Sequence, residues 1–195
     1  MDWSASSPRL EGAIVTLEPI EPAHEAALFV ASDHDEIWSF LPPARPDREG
    51  FAEIFAHLLS ENAAGRQKTW VTRSMATGDV VGTSSMLALR PAHRGLEIGW
   101  TWLSPSQWGT GANIEAKLLM FEHAFGELGC IRVELKTDAN NERSRRAIEA
   151  IPADFEGIFR NHMLVSYGVR DSAYYSVTDA EWPAVRENLQ RRLSR

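Results

Sequence analysis

The residues best suited to chemistry gather between Leu96 and Phe125, in the run LEIGWTWLSPSQWGTGANIEAKLLMFEHAF. At its centre, Trp108-Gly109-Thr110-Gly111-Ala112-Asn113 sits where a strand pattern gives way to a helix pattern. Two glycines let the backbone turn sharply and approach a ligand closely. A helix start adds N–H groups that lack intrahelical partners and carry a partial positive charge. Such a junction suits a phosphate or diphosphate. Gly-x-Gly also serves as a plain tight connection, and no nucleotide motif completes it. No Gly-Lys-Ser/Thr follows, and the third glycine of the dinucleotide fingerprint is missing. The residues define an anion site and leave its ligand open. Elsewhere, His24, His34, His57, His93, His123 and His162 show no metal spacing, so no metal is expected. Cys130, the one cysteine, has no histidine pattern beside it and reads as a buried thiol rather than a nucleophile.

The elements that must position this junction follow from periodicity. Leu96, Ile98, Trp100 and Trp102 alternate with Glu97, Gly99 and Thr101, a half-buried strand. From Asn113 the period changes, and Ile114, Leu118, Phe121 and Phe125 make one face of a helix closed by Gly126 and Gly129. Upstream, Ala13 to Ile20 reads as a strand and Glu21 to Ser32 as a short helix. The proline-rich run from Phe40 to Arg48 must be a loop. Asp47 caps a helix with the stripe Phe51, Ile54, Phe55, Leu58 and Leu59. Lys68 to Ser74 and Val80 to Arg90 complete an antiparallel meander with the strand from Leu96. Downstream, Cys130 to Lys136 reads as a strand reached by a parallel crossover, so the sheet is mixed. Asn140 or Asn141 caps a helix that Pro152 ends. Phe155 to Val165 and Ser172 to Val177 form a hairpin around Tyr167-Gly168, and Glu181 to Leu193 is a final helix.

A chain of 195 residues fits one domain, residues 1–195, on a scale of about 100–200 residues per domain. With 44% hydrophobic and 24% charged residues it has an ordinary globular composition. A net charge of −7 argues against a nucleic-acid partner. One cysteine allows no internal disulfide and fits a reducing, cytoplasmic setting. No apolar run reaches the ~20 residues that span a bilayer, and MDWSASSPRL lacks the basic and apolar regions of a signal peptide, so no membrane partner is expected.

Meander, glycine turn, long helix, strand, Asn-capped helix and closing hairpin together resemble the GNAT acetyltransferases, in the branch of the RimJ/RimL ribosomal-protein N-acetyltransferases. The resemblance runs from Leu10 to Trp182 and is carried by LEIGWTWLSPSQWGTGANIEA, NERSRRAIEAI, FEGIFRNHML and RDSAYYSVTDAEW. It implies an α/β (α+β) GNAT fold with a mixed, mostly antiparallel sheet of about seven strands flanked by helices. It also implies acetyl-CoA as co-substrate, transfer to a primary amine, and a homodimer through the closing strands as an option open to this branch.

The resemblance further assigns residues. Backbone N–H groups from Trp108 through Gly109, Thr110, Gly111 and Ala112 to Asn113 would hold the diphosphate. The strand ending at Trp102-Leu103 would pair with the pantetheine arm while splaying from the Cys130 strand. Asn141 and Ser144 match an Asn-x-x-Ser pattern at the thiol end. An alkyl amine, with a reference pKa near ~10.4, must lose a proton before it attacks a thioester. Glu97 matches the family's glutamate, and Gly99 on the same face leaves room for a substrate. A backbone N–H near Trp102 or Leu103 would receive the oxyanion. Relatives carry a tyrosine four residues after the Ser144 position, where this chain has Ile148. In the RimL-like branch the serine at this position is the acid, so the resemblance implies Ser144 in that role, with Tyr174 and Tyr175 as fallbacks. Asn113 replaces a small residue, and Pro152-Ala153 replaces a Gly-Phe. These departures keep a second reading open, a module that binds CoA or a partner with weak catalysis or none. The acceptor, a small molecule or a protein N-terminus, is left open.

Overall fold

The computed structural model describes Trp3 and residues 7–194. The leader reading of MDWSASSPRL therefore falls partly outside the described residues. Eight strands form one sheet: β1 (Leu10–Glu11), β2 (Val15–Pro19), β3 (Lys68–Ser74), β4 (Val80–Arg90), β5 (Gly95–Leu103), β6 (Arg132–Asp138), β7 (Asp154–Val165) and β8 (Gly168–Thr178). Their order is β1-β2-β3-β4-β5-β6-β8-β7, and every pairing is antiparallel except β5 with β6. The mixed, mostly antiparallel sheet agrees with the expectation. The eighth strand is the two-residue β1, too short to leave an alternating pattern.

The helices are α1 (Glu25–Ala31), α2 (Asp35–Trp38), α3 (Arg48–Ala63), α4 (Ala112–Glu122), α5 (Glu142–Glu149) and α6 (Trp182–Leu193). Asp47 caps α3 as its sequence indicates, its Oδ1 accepting from the Gly50 N–H at 2.9 Å. Two cores flank the sheet. On one face Leu96, Ile98, Val133, Leu135, Ala173 and Tyr175 pack with Ala116, Met120 and Phe121 of α4 and with Val185 and Leu189 of α6. On the other, Val71, Val80 and Trp102 pack against Leu28, Phe51 and Phe55 of α1 and α3.

Two irregularities position the site. Pairing of β5 with β6 ends at Ile98 opposite Leu135, and beyond it the strands part. The second lies at Trp100, where φ is 49° and the β4–β5 register shifts between Thr83 and Ser85. This bulge inverts the alternation of β5. The sequence puts Leu96, Ile98, Trp100 and Trp102 on one face. The structure instead sends Trp102 into the core with α1 and α3, opposite Leu96 and Ile98. The crossover strand also starts at Arg132 rather than Cys130, which leaves Ile131 exposed while Val133 and Leu135 are buried.

Candidate active site

Where β5 and β6 part, a cavity of about 400 Å³ opens, lined by β5, β6, the Trp108–Gly109 loop, α4, α5, and the segment after α2. At its α4 end the loop is held firmly. Trp108 Nε1 donates to the Leu103 carbonyl at 2.9 Å, and Thr110 Oγ1 donates to the Gln107 carbonyl at 2.8 Å. Gly109 and Gly111 have φ of 78° and 90°, the left-handed region that other residues enter only with strain. At Gly111 a Cβ would also lie 3.0 Å from Ile14 Cδ1. Ala112 opens α4, one residue before the expected Asn113 start, and the first-turn N–H groups face the loop without intrahelical acceptors. Arg143 of α5 lies 3.9 Å from the Trp108 ring centroid. Burial lowers the Arg143 pKa from its ordinary value. The guanidinium and the helix terminus together form a cationic mouth.

On α5, Asn141 Oδ1 accepts from the Ser144 N–H at 3.0 Å, so the Asn-x-x-Ser pattern is first a helix cap. Asn141 and Ser144 both line the cavity, as do Trp102, Leu103, Trp108, Gly109 and Asn113. Thr110, Gly111 and Ala112 lie in the turn behind that lining. Ile148 and Ile151 give the α5 wall an apolar floor with no hydroxyl.

Glu97 also lines the cavity and is 6% exposed, so it is no solvated strand residue. Its Oε2 is 3.0 Å from Lys136 Nζ, and a Cβ on Gly99 would lie 2.8 Å from its Oε1. One oxygen is thus ion-paired and the other fills the space the glycine leaves. The fallback tyrosines do not line the cavity. Tyr174 stacks on Phe159 at 4.2 Å. Tyr175 is buried on the other face, bonded to Arg145 Nε and Glu149 Oε1 at 3.0 Å each. Cys130 lies away from the cavity, and burial pushes its thiol up to about 11, which removes it as a nucleophile. Among the described residues no group of three His, Cys, Asp or Glu side chains could hold a metal.

Sequence reasoning missed four cations that line the cavity: Lys117, Lys136, Arg143 and Arg170. Lys117, 5% exposed, donates from Nζ to Ser84 Oγ at 3.1 Å and to Thr101 Oγ1 at 2.5 Å. Burial lowers its pKa from 10.5 to about 7. Its position was legible: three residues after Ile114 and four before Phe121, it falls on the apolar stripe of α4.

The chain that builds this site matches a known family over most of its length. The model of the acetyltransferase (GNAT) domain matches residues 15–153. The chain belongs to the GNAT acetyltransferase family. A crystal structure of a GCN5-related N-acetyltransferase from Brucella melitensis is 31% identical, with a TM-score of 0.90 over 97% of this chain and 87% of that one. An uncharacterized N-acetyltransferase of Bacillus subtilis, YoaA, is 26% identical over 174 residues, 87% of this chain and 96% of its own. Mycobacterium smegmatis RimJ, solved with a CoA disulfide, shares the fold at 22% identity, with a TM-score of 0.81 over 97% of this chain and 95% of that one. In this GNAT acetyltransferase the cavity lies where β5 and β6 part. Its cationic mouth is at the α4 end and its one lining carboxylate, Glu97, is on the sheet.

Proposed function

We propose that this single domain is an acetyl-CoA-dependent N-acetyltransferase acting on a primary amine, of a small molecule or a protein N-terminus, by direct attack. The observation that carries this reading is the gap between β5 and β6, continuous from the loop at α4 to Glu97. The residues present fit the co-substrate. The α4 N-terminus with Arg143 suits a diphosphate, and the edge of β5 that β6 leaves unpaired after Ile98 suits the amides of pantetheine. Asn141 and Ser144 flank the channel from α5. Acetyl-CoA bound there supplies an activated thioester.

The chain's own residues then have separable tasks. Glu97 takes the proton from the acceptor ammonium, and the Gly99 space admits the amine beside it. A backbone N–H near Trp102 or Leu103 would offer a donor to a developing oxyanion. The Ser144 hydroxyl returns a proton to the leaving sulfur. The apolar wall of Ile148 and Ile151 keeps that step dry. Nothing in this chemistry calls for a metal, a nucleic acid or a membrane, and it suits a cytoplasmic protein. The outer strand β7 exposes Phe155, Ile158, Phe159 and Leu164, where a second copy would dock.

Calorimetric titration with acetyl-CoA tests the binding, and a mass-spectrometric screen of amines tests the transfer. Glu97→Gln should lower turnover by about 100-fold or more while CoA affinity is unchanged. Unchanged turnover removes Glu97 from the mechanism, and CoA binding without transfer to any amine favours a non-catalytic module.

A further inference from the structure

The strand registers decide which groups an acceptor meets. On β8, Ala173, Tyr175 and Val177 are buried in the core with α4 and α6, so Arg170, Ser172 and Tyr174 face the opposite side. Lys136 is registered with Tyr174 and Asp138 with Ser172, which puts both on that same side. Glu97 joins them, because it reaches Lys136 and alternates with the buried Leu96 and Ile98. Arg170 and Glu97 thus share the sheet face away from α4, and both line the cavity.

Arg170 stands out by what it lacks. It is 9% exposed, and its Nε is one of two buried side-chain polar atoms without a hydrogen-bond partner among the described residues; the other is Thr72 Oγ1. Among those residues no carboxylate lies within ion-pair distance of its guanidinium. The β6 carboxylate on the same face is already engaged. Asp138 accepts from the Tyr167 hydroxyl at 2.8 Å through Oδ2 and from the Asn140 N–H at 2.8 Å through Oδ1. Glu97 is held by Lys136, and Arg143 belongs to the mouth at the other end. Arg170 reaches the Tyr167 hydroxyl, which itself donates to Asp138, but its Nε stays unpartnered and its guanidinium has no carboxylate of its own on the acceptor side. A buried charged donor left unpaired costs more than a neutral one, and a carboxylate satisfies a guanidinium through two parallel bonds.

We propose that the acceptor is an amino-acid-like amine whose carboxylate is received by Arg170 while its amine is presented to Glu97. This rests on the acetyltransferase reading and narrows its substrate class. The reaction balances as an ordinary transfer: the amine nitrogen bonds to the acetyl carbon and the carbon–sulfur bond breaks. Of the two protons the ammonium loses, one passes to solvent through Glu97 and the other replaces the proton Ser144 gives to the sulfur, so coenzyme A leaves as the thiol.

The test uses the full chain with acetyl-CoA and the series from glycine through 4-aminobutyrate to 6-aminohexanoate. Each acid is compared with the alkylamine of the same length that lacks the carboxylate. At least one acid should exceed its alkylamine by about tenfold or more in kcat/KM, and Arg170→Gln should collapse that ratio through KM. Arg170→Lys, which keeps the charge but loses the planar fork, should leave an intermediate ratio. Alkylamines equal to or better than the acids would overturn the proposal, as would a ratio that Arg170→Gln leaves intact. Titration of the same acids into CoA-loaded protein reads binding without turnover. Binding weakened about tenfold in Arg170→Gln supports the proposal, and no binding of any acid refutes it. Failure to bind acetyl-CoA would instead strike the parent reading.

Discussion

Replacing Lys117 by methionine tests the electrostatics of the cavity most directly. The two side chains have similar volume and helix propensity, so the substitution removes a charge and little packing. Ser84 Oγ and Thr101 Oγ1 stay bonded to each other at 2.6 Å, so no hydroxyl is orphaned. In the wild type, burial alone lowers the Lys117 pKa from 10.5 to about 7. Each pH unit of such a shift is worth about 1.4 kcal/mol, and the whole shift about 5 kcal/mol. Below about pH 7 both folded and unfolded chains carry the proton, and burial of the charge costs the full amount. From there to the ordinary lysine value only the unfolded chain binds the proton, so stability rises with pH. Above that value neither state binds it and the penalty is gone.

Urea unfolding of both proteins at about pH 6, 7.5 and 9.5 isolates this contribution, since the other titrating groups cancel in the difference. Lys117→Met should be the more stable protein at the lowest pH. Its advantage should then shrink by about 3 kcal/mol between the two higher values. Parallel stability profiles across that window would refute the reasoning, because they would mean that Lys117 keeps a solvated, ordinary ammonium in the folded state.

Two further substitutions probe the scaffold around the site. Glu115, buried on α4, accepts from the N–H groups of Ala13, Ile14 and Val15 at 2.9, 2.7 and 2.7 Å. Glu115→Gln sets an amide NH₂ against those donors and should cost about 3 kcal/mol, read as a lower urea midpoint at constant m; a loss below about 1 kcal/mol would refute it. Gly99→Ala would bring a Cβ to 2.8 Å from Glu97 Oε1 and 3.1 Å from Leu87 Cδ1, both movable side-chain ends. The fold should therefore survive while the carboxylate swings away, with turnover falling about tenfold or more at unchanged CoA affinity. Full activity in Gly99→Ala would separate the Glu97 position from the reaction.

Much of the frame was legible because it rests on local signals. Lys68–Ser74 and Val80–Arg90 are set off by turn residues, and the strands have the bounds that their sequence indicates. Asp47 and Asn141 each sit three residues before the N–H they cap, a spacing that can be read without coordinates. The loop at Gly109 and Gly111 was found because only glycine enters its backbone conformation cheaply. What stayed hidden depends on contacts between distant elements. Lys136 and Arg170 look like ordinary polar residues of half-exposed strands until the β6–β8 register sets them on the Glu97 face. Glu115 interrupts the apolar pattern of α4, and only its three bonds to the β2 entrance explain why burial is tolerated.

The Trp100 bulge shows most clearly why the site, rather than the fold, escapes a periodicity argument. With an unbroken alternation, Thr101 would share a face with Glu97 and Gly99, and Trp102 would lie with Ile98. The extra residue reverses this. Thr101 turns toward α4, where it meets Lys117 Nζ, and Trp102 turns toward α1 and α3. The same dislocation coincides with the end of β5–β6 pairing, because a strand that bends away from its neighbour cannot keep the ladder. One inserted residue therefore aims a buried lysine at the cavity and helps open the gap that forms it. It also separates the α4 face, suited to the co-substrate, from the Glu97 face, where the amine is proposed to enter. A site built on a break in a pattern leaves no periodic signal of its own, so its parts become visible only when the strands are laid side by side.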